Sequence, residues 1–199
     1  DSSPETSITP VIHCHQQIPC NPCVSVCKQE VIHIPGDSLL EIPEITKNEC
    51  MGCNKCLFVC PGLAISLVDY REDQENPIVS LAYEVYNFEY KKDDKVLLTD
   101  DEGYPLQEAV VIDTVMGKAS RKTQIIKVQV PNDIAKRVAG FKIQKDEDVM
   151  PTHVALEDTV PDDAIVCLCE RVTAGEIRRL IRKGIKDLNQ IKAITRAGM

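Results

Sequence analysis

The sequence predicts an α+β chain in three parts: a cysteine-rich module over 1–75, a small antiparallel β domain over 76–160 and a short helical domain over 161–199. Three observations predict it. Eight of the ten cysteines crowd into residues 14–60, while 61–166 contain none and the last two stand at 167 and 169. The middle stretch alternates apolar and polar residues with a period of two, as half-buried strands do. The last stretch spaces its apolar residues as a helix face, behind a Thr-x-x-Glu pair. Charge divides the chain similarly. Acids outnumber bases up to residue 160, whereas 161–199 carry eight bases against five acids.

The whole chain of 199 residues has a net charge of −8. That balance argues against nucleic acid or an anionic membrane surface as partner, because both would repel it. No apolar run is long enough to span a bilayer. The start at Asp1 has neither Met nor a charged-then-apolar leader. A cytoplasmic setting is therefore expected, with thiolates held by metal. A disulfide framework would instead spread its cysteines along the chain.

Within the first part, Cys50-x2-Cys53-x2-Cys56-x3-Cys60-Pro61 is the bacterial ferredoxin motif in full. Three thiolates on a tight loop wrap three corners of a cubane, with backbone N–H groups aimed at its sulfurs. Gly52 is expected to let that loop come close to the cluster. Pro61 ends the following helix and leads into a strand, Ala64–Val68. A zinc site is the rival, but zinc usually takes two separated cysteine pairs. An earlier group, Cys14-x5-Cys20-x2-Cys23-x3-Cys27-Lys28, is less regular. Its first cysteine lies three residues ahead of the motif position, where Gln17 stands, and Lys28 replaces the proline. His13 and His15 flank Cys14 as alternative iron ligands. Val31–Ile34 follows the first group as Ala64–Leu67 follows the second.

Residues 8–70 thus resemble a two-cluster [4Fe–4S] ferredoxin, which implies a ferredoxin-like fold of two β-α-β halves about a pseudo-twofold axis. By that resemblance Cys14, Cys20, Cys23 and Cys60 hold one [4Fe–4S] cluster. Cys50, Cys53, Cys56 and Cys27 hold the other.

In the middle part, Val79, Leu81, Tyr83 and Val85, and again Ile126, Val128 and Val130, mark strands. Asp93-Asp94-Lys95 and Asp101-Glu102-Gly103 supply turns. Asn132 caps a short helix running through Val138 to Gly140. A small barrel with a packing or docking role is expected.

The third part opens with Cys167-Leu168-Cys169. Thr173 and Glu176 form a capping box for a helix with Ile177, Leu180 and Ile181 on its apolar face, ended by Gly184. Leu188, Ile191 and Ile194 or Ala193 mark a second helix ended by Gly198. Arg178, Arg179, Arg182, Lys183 and Lys186 are read as solvated helix faces or as a steering patch for an acidic partner. A Cys-x-Cys followed by two short helices resembles the [2Fe–2S] domain of bacterioferritin-associated ferredoxin, over 164–199. The family places a Cys-x2-Cys pair after the second helix, where this sequence reaches Met199. Cys167 and Cys169 therefore match half of a [2Fe–2S] ligand set. The rest belongs to a missing tail or to a different polypeptide, or else the cluster has been lost and a docking domain remains.

No dinucleotide fingerprint, P-loop or Ser/His/Asp set stands in the sequence, so substrate chemistry is expected on another polypeptide. The combination resembles the small iron–sulfur subunit of multisubunit FAD-dependent dehydrogenases, such as dye-linked proline dehydrogenase, opine or amino-acid oxidising complexes and hydrogen cyanide synthase. That resemblance implies a hetero-oligomer. Its FAD-containing dehydrogenase subunit would pass electrons through this chain to a redox acceptor protein. A free ferredoxin-like carrier and an iron-binding or regulatory docking module are the alternatives.

Overall fold

The computed structural model describes residues 7–15, 17–47, 49–85, 89–117, 122–143, 160–168 and 170–197. The cysteine-rich part runs strand–helix–strand twice. The first half is β1 (Ile8–Ile12), α1 (Pro22–Val26) and β2 (Ile32–His33); the second is β3 (Glu44–Ile45), α2 (Lys55–Val59) and β4 (Ile65–Asp69). Pairing crosses between the halves, β1 against β4 and β2 against β3, both antiparallel. Pro22 at the start of α1 supplies a preset φ where no N–H is needed. Both helices are a little over one turn long, so they depend on packing for their stability. Leu57 of α2 is fully buried among Ile8, Ile32, Ile65 and Leu67.

The middle part adds β5 (Ile78–Glu84), β6 (Lys95–Thr99), β7 (Pro105–Met116), β8 (Thr123–Gln129), α3 (Asn132–Ala135) and β9 (Gly140–Ile143). These strands extend the sheet already begun, in the order β1-β4-β5-β8-β7-β6-β9. The expected barrel is, among the described residues, an open antiparallel sheet with β1 and β9 at its edges. Partners change along β7, which pairs with β6 over its first half and with β8 over its second, with a register shift between Val111 and Asp113 in the pairing to β8. Such irregularities increase local twist and let one strand serve two partners. The polar run at 71–77 is the connection between two paired strands, β4 and β5.

Alternation sorts the side chains onto two faces. Ile65, Leu67 and Ile125 face the cysteine-bearing layer. Val68, Val79, Leu81, Tyr83, Ile126 and Val128 face a second core, which contains a ring cluster. Tyr83 and Tyr90 meet edge-on at 5.1 Å, and Phe141 lies 5.2 Å from Tyr90 and 5.8 Å from Tyr83. The two predicted turns are present, Asp93 at φ +72° and Gly103 at φ +82°. The helix from Asn132 stops at Ala135, short of Val138.

The C-terminal part comprises β10 (Ile165–Cys167), β11 (Val172–Thr173), α4 (Ala174–Arg182) and α5 (Leu188–Thr195). The capping box on α4 is complete. Thr173 Oγ1 accepts from Glu176 N at 3.3 Å, and Thr173 N donates to Glu176 Oε2 at 2.7 Å. Gly184 ends α4 at φ +89°. Thr173→Ala is expected to cost about 1 kcal/mol, measured by denaturant unfolding followed by circular dichroism; an unchanged midpoint would show that the cap is not stabilising. Asp187 caps α5 by accepting from Asn189 N and Gln190 N, with Gln190 three residues on, the spacing of a helix start. That helix ends at Arg196, and Gly198 lies outside the described residues.

Long-range hydrogen bonds fasten α5 to the sheet. Asn189 Oδ1 accepts from Glu84 N at 2.9 Å, Lys192 Nζ bonds Glu84 Oε2 at 2.5 Å, and Gln190 Nε2 donates to Thr99 Oγ1 at 3.1 Å. Arg178 is tied to Asp162 and to the carbonyl of Val160, so it is a bonded residue rather than a bare charge. No helix among the described residues is long and apolar enough to cross a membrane.

Candidate metal centre

The cysteines of the first part line two hollows. In each sequence group, the third cysteine sits on a short helix and the fourth caps that helix's end: Cys23 and Cys27 for α1, Cys56 and Cys60 for α2. Four residues along a helix return a side chain to nearly the same face, displaced by one turn. The displaced fourth thiol lines the other group's hollow.

Cys14, Cys20, Cys23 and Cys60 line one hollow of about 490 Å³, together with Ile12, Ile18, Pro43 and Ile65. Cys50, Cys53, Cys56 and Cys27 line another of about 760 Å³, with Pro10, Val31, Ile32 and Leu67. Both volumes include space open to solvent.

Electrostatics group the thiols in the same way. Burial, then the neighbouring Cys60, Cys14 and Cys20, push the Cys23 thiol up to about 12. Burial, then Cys50 and Cys53, push Cys56 up to about 12 as well. Crowded, buried thiols of this kind hold their protons until a bound cation displaces them. No disulfide joins the described cysteines.

Backbone N–H groups are directed at the sulfurs. Ala64 N donates to Cys60 Sγ at 3.3 Å. At Cys27, burial raises the pKa, but hydrogen bonds from the N–H groups of Ile32, Val31, Gln29 and Glu30 outweigh it and the net shift is downward. Such bonds stabilise negative charge on sulfur, as cluster thiolates require. Gly52 also has a steric reason within the chain. It lies at φ +70°, and a Cβ there would fall 2.4 Å from Ile8 Cδ1, so it frees the loop to pass β1.

The flanking histidines have other partners. His13 is buried with Nε2 2.9 Å from Ser66 Oγ, and burial pushes its pKa down to about 4. It fills space beside β4 as a neutral ring. His15 pairs at the surface with Asp101. Among the described residues no three Cys, His, Asp or Glu groups are arranged to hold a single metal ion.

Near the other end of the chain, Cys167 is buried on β10, opposite Val172 of β11. Cys169 lies outside the described residues. Glu170 is close enough to Cys20 to raise its pKa, after burial and Cys60. The C-terminal part therefore lies beside the first hollow. One contributor there went unforeseen: Arg196, which lines the first hollow and is almost wholly buried. Its partners are residues 134 and 183 positions away, a separation that leaves no local signal in the sequence.

Comparison with known proteins bears on this last part. Residues 165–199 match the family described as the BFD-like [2Fe-2S] binding domain. A stretch of 37 residues, 19% of the chain, is 46% identical to hydrogen cyanide synthase subunit HcnB of Pseudomonas aeruginosa and covers 8% of that protein. A stretch of 41 residues, 21% of the chain, is 49% identical to the A subunit of opine oxidase from Rhizobium meliloti and covers 9% of it. The chain thus spans less than a tenth of the length of these curated relatives. No solved structure matches. An iron–sulfur domain, joined to similarity with oxidoreductase subunits, points to an electron-transfer role.

Proposed function

We propose that the chain is the iron–sulfur electron-transfer subunit of a cytoplasmic hetero-oligomeric dehydrogenase. One [4Fe–4S] cluster would be held by Cys14, Cys20, Cys23 and Cys60, and a second by Cys50, Cys53, Cys56 and Cys27. Cys167 and Cys169 would contribute half the ligands of a [2Fe–2S] cluster. The observation that carries this proposal is the crossed membership of the two hollows, each combining three cysteines of one group with the fourth of the other. Four thiols at the corners of a cube stand farther apart than four around one ion, which accords with the lack of a single-ion site among the described residues.

Clusters of these types take up and release one electron at a time. The residues of the chain would bury them against Ile12, Ile65, Ile32 and Leu67, direct N–H groups at the thiolate sulfurs and limit the access of water. The partner would be an FAD-containing subunit oxidising an amine or amino-acid-type substrate, with a redox protein as acceptor. Similarity to a subunit of an opine oxidase and to one of a hydrogen cyanide synthase supports that partner, and the broad sheet beyond the cysteine-bearing layer offers it a docking wall.

Native mass spectrometry of the anaerobically isolated protein tests the proposal, because one spectrum reports iron and partners together. The expected spectrum contains the mass of two cubanes within a larger, flavin-containing assembly. A lone chain with two cubanes would indicate a free carrier, and zinc in their place would overturn the cluster assignment.

A further inference from the structure

Arg196 terminates α5 in the left-handed region, at φ +61°, a position disfavoured for any residue with a Cβ. It is nonetheless held there, 3% exposed. Its Nη1 donates to the carbonyl of Gly62 at 2.8 Å, and its Nη2 to the carbonyl of His13 at 2.9 Å. Gly62 lies two residues after Cys60, and His13 immediately precedes Cys14. The guanidinium therefore bridges the two chain segments that bring these thiols to the first hollow, and it forms part of that hollow's lining.

Gly62 is fitted to this guest. A Cβ there would fall 2.5 Å from Arg196 Nη1 and 2.9 Å from its Cδ. Two positions 134 residues apart are thus shaped to one another.

Both hydrogen bonds go to uncharged carbonyls, so they fix the charge without cancelling it. The nearby acids, Glu41 and Glu170, are partly exposed, and water screens them. A buried cation acts through a less polarisable medium and is felt more strongly. The second hollow has a different arrangement. The cations on its rim, Lys28 and Lys55, are partly or fully exposed.

We propose that Arg196 is a fixed positive charge, delivered by the C-terminal part, that raises the reduction potential of the cluster in the first hollow and leaves the second unaffected. Reduction adds one electron to a cubane whose four thiolate ligands already make it negative, and a buried cation stabilises that added charge. The proposal rests on cubanes occupying the two hollows. It makes Arg196 a positioning and tuning residue; it is not a ligand.

The test is an anaerobic redox titration of the full, iron-loaded chain, followed by low-temperature EPR. The first-site signal is identified as the one that disappears in Cys20→Ala. In Arg196→Gln the midpoint of the first site is expected to shift to lower potential, with the second unmoved and iron content retained. Gly62→Ala, which keeps the charge but displaces it, is expected to shift the first site the same way. Arg196→Lys is expected to return it towards the wild-type value.

An unmoved first midpoint in a loaded Arg196→Gln protein would overturn the proposal, as would equal shifts at both sites. Should Arg196→Gln lose the first cluster altogether, Arg196→Lys decides. A loaded first site near the wild-type potential supports the role of charge, and one shifted as far as in Gly62→Ala refutes it. A wild-type protein lacking two cubane signals would instead defeat the cluster assignment itself, before Arg196 is altered.

Discussion

Replacing Cys60 with alanine is expected to strip the iron from the site of Cys14, Cys20 and Cys23 while the site of Cys50, Cys53 and Cys56 stays loaded. The sequence neighbourhood alone would forecast the opposite, because Cys60 completes the regular motif that begins at Cys50. The structure places the Cys60 sulfur among the first group, where it adds to the upward pressure on the Cys14, Cys20 and Cys23 thiols. About half of the iron should be lost, and the EPR signal that vanishes should be the one that vanishes in Cys20→Ala. Combining Cys60→Ala with Cys20→Ala should remove no further iron, since both act on one site. Combining Cys60→Ala with Cys53→Ala should remove nearly all of it. Loss of the Cys50 site in the single variant would show that each motif closes on itself, and the crossed arrangement would fall.

The second large effect concerns the face of the sheet turned away from the cysteines. Tyr83→Ala is expected to destabilise the protein by about 3–5 kcal/mol, the range for truncating a buried aromatic residue. Tyr83 is 1% exposed and meets both Tyr90 and Phe141, so its removal opens a void bounded by two rings that cannot both close on it. Tyr104→Ala, at a position 55% exposed, should change stability by no more than about 0.5 kcal/mol. Denaturant unfolding of both variants under anaerobic conditions makes the comparison. A cost below about 1 kcal/mol for Tyr83→Ala would mean that the ring cluster is not the packed centre described.

Local signals were legible wherever one element decides its own conformation. The alternation of Val79, Leu81 and Tyr83, and of Ile126 and Val128, puts these residues on one face of paired strands, because a period of two has only two faces to choose from. Thr173 and Glu176 stand three apart, so the capping box could be read directly. The crowding of Cys14–Cys27 and Cys50–Cys60 was equally plain, although the crossing of Cys27 and Cys60 entered only by resemblance, since spacing does not say which way a fourth thiol turns.

The features that stayed hidden depend on distant partners. In β7, Glu108 and Asp113 interrupt any simple alternation, because the strand serves β6 and then β8 and shifts register within its pairing to β8. Arg196 looked like one more base in a basic tail. Its burial depends on two carbonyls 134 and 183 residues away and on the bare backbone of Gly62. Ile8, whose side chain leaves no room for a Cβ at Gly52, likewise lies far from it in sequence.

The place of β4 has a consequence for how such a protein can be taken apart. It is hydrogen-bonded along both edges, to β1 and to β5, and Ile65–Val68 are buried on both faces. Severing the chain in 71–77 and discarding the strands beyond the cut would open one edge and expose Val68 on the face it now shares with the ring cluster. The cysteine-rich part is consequently no cassette to be excised and grafted onto another scaffold. Its rear wall is borrowed, and any shortened version would need a substitute strand before it could hold its shape.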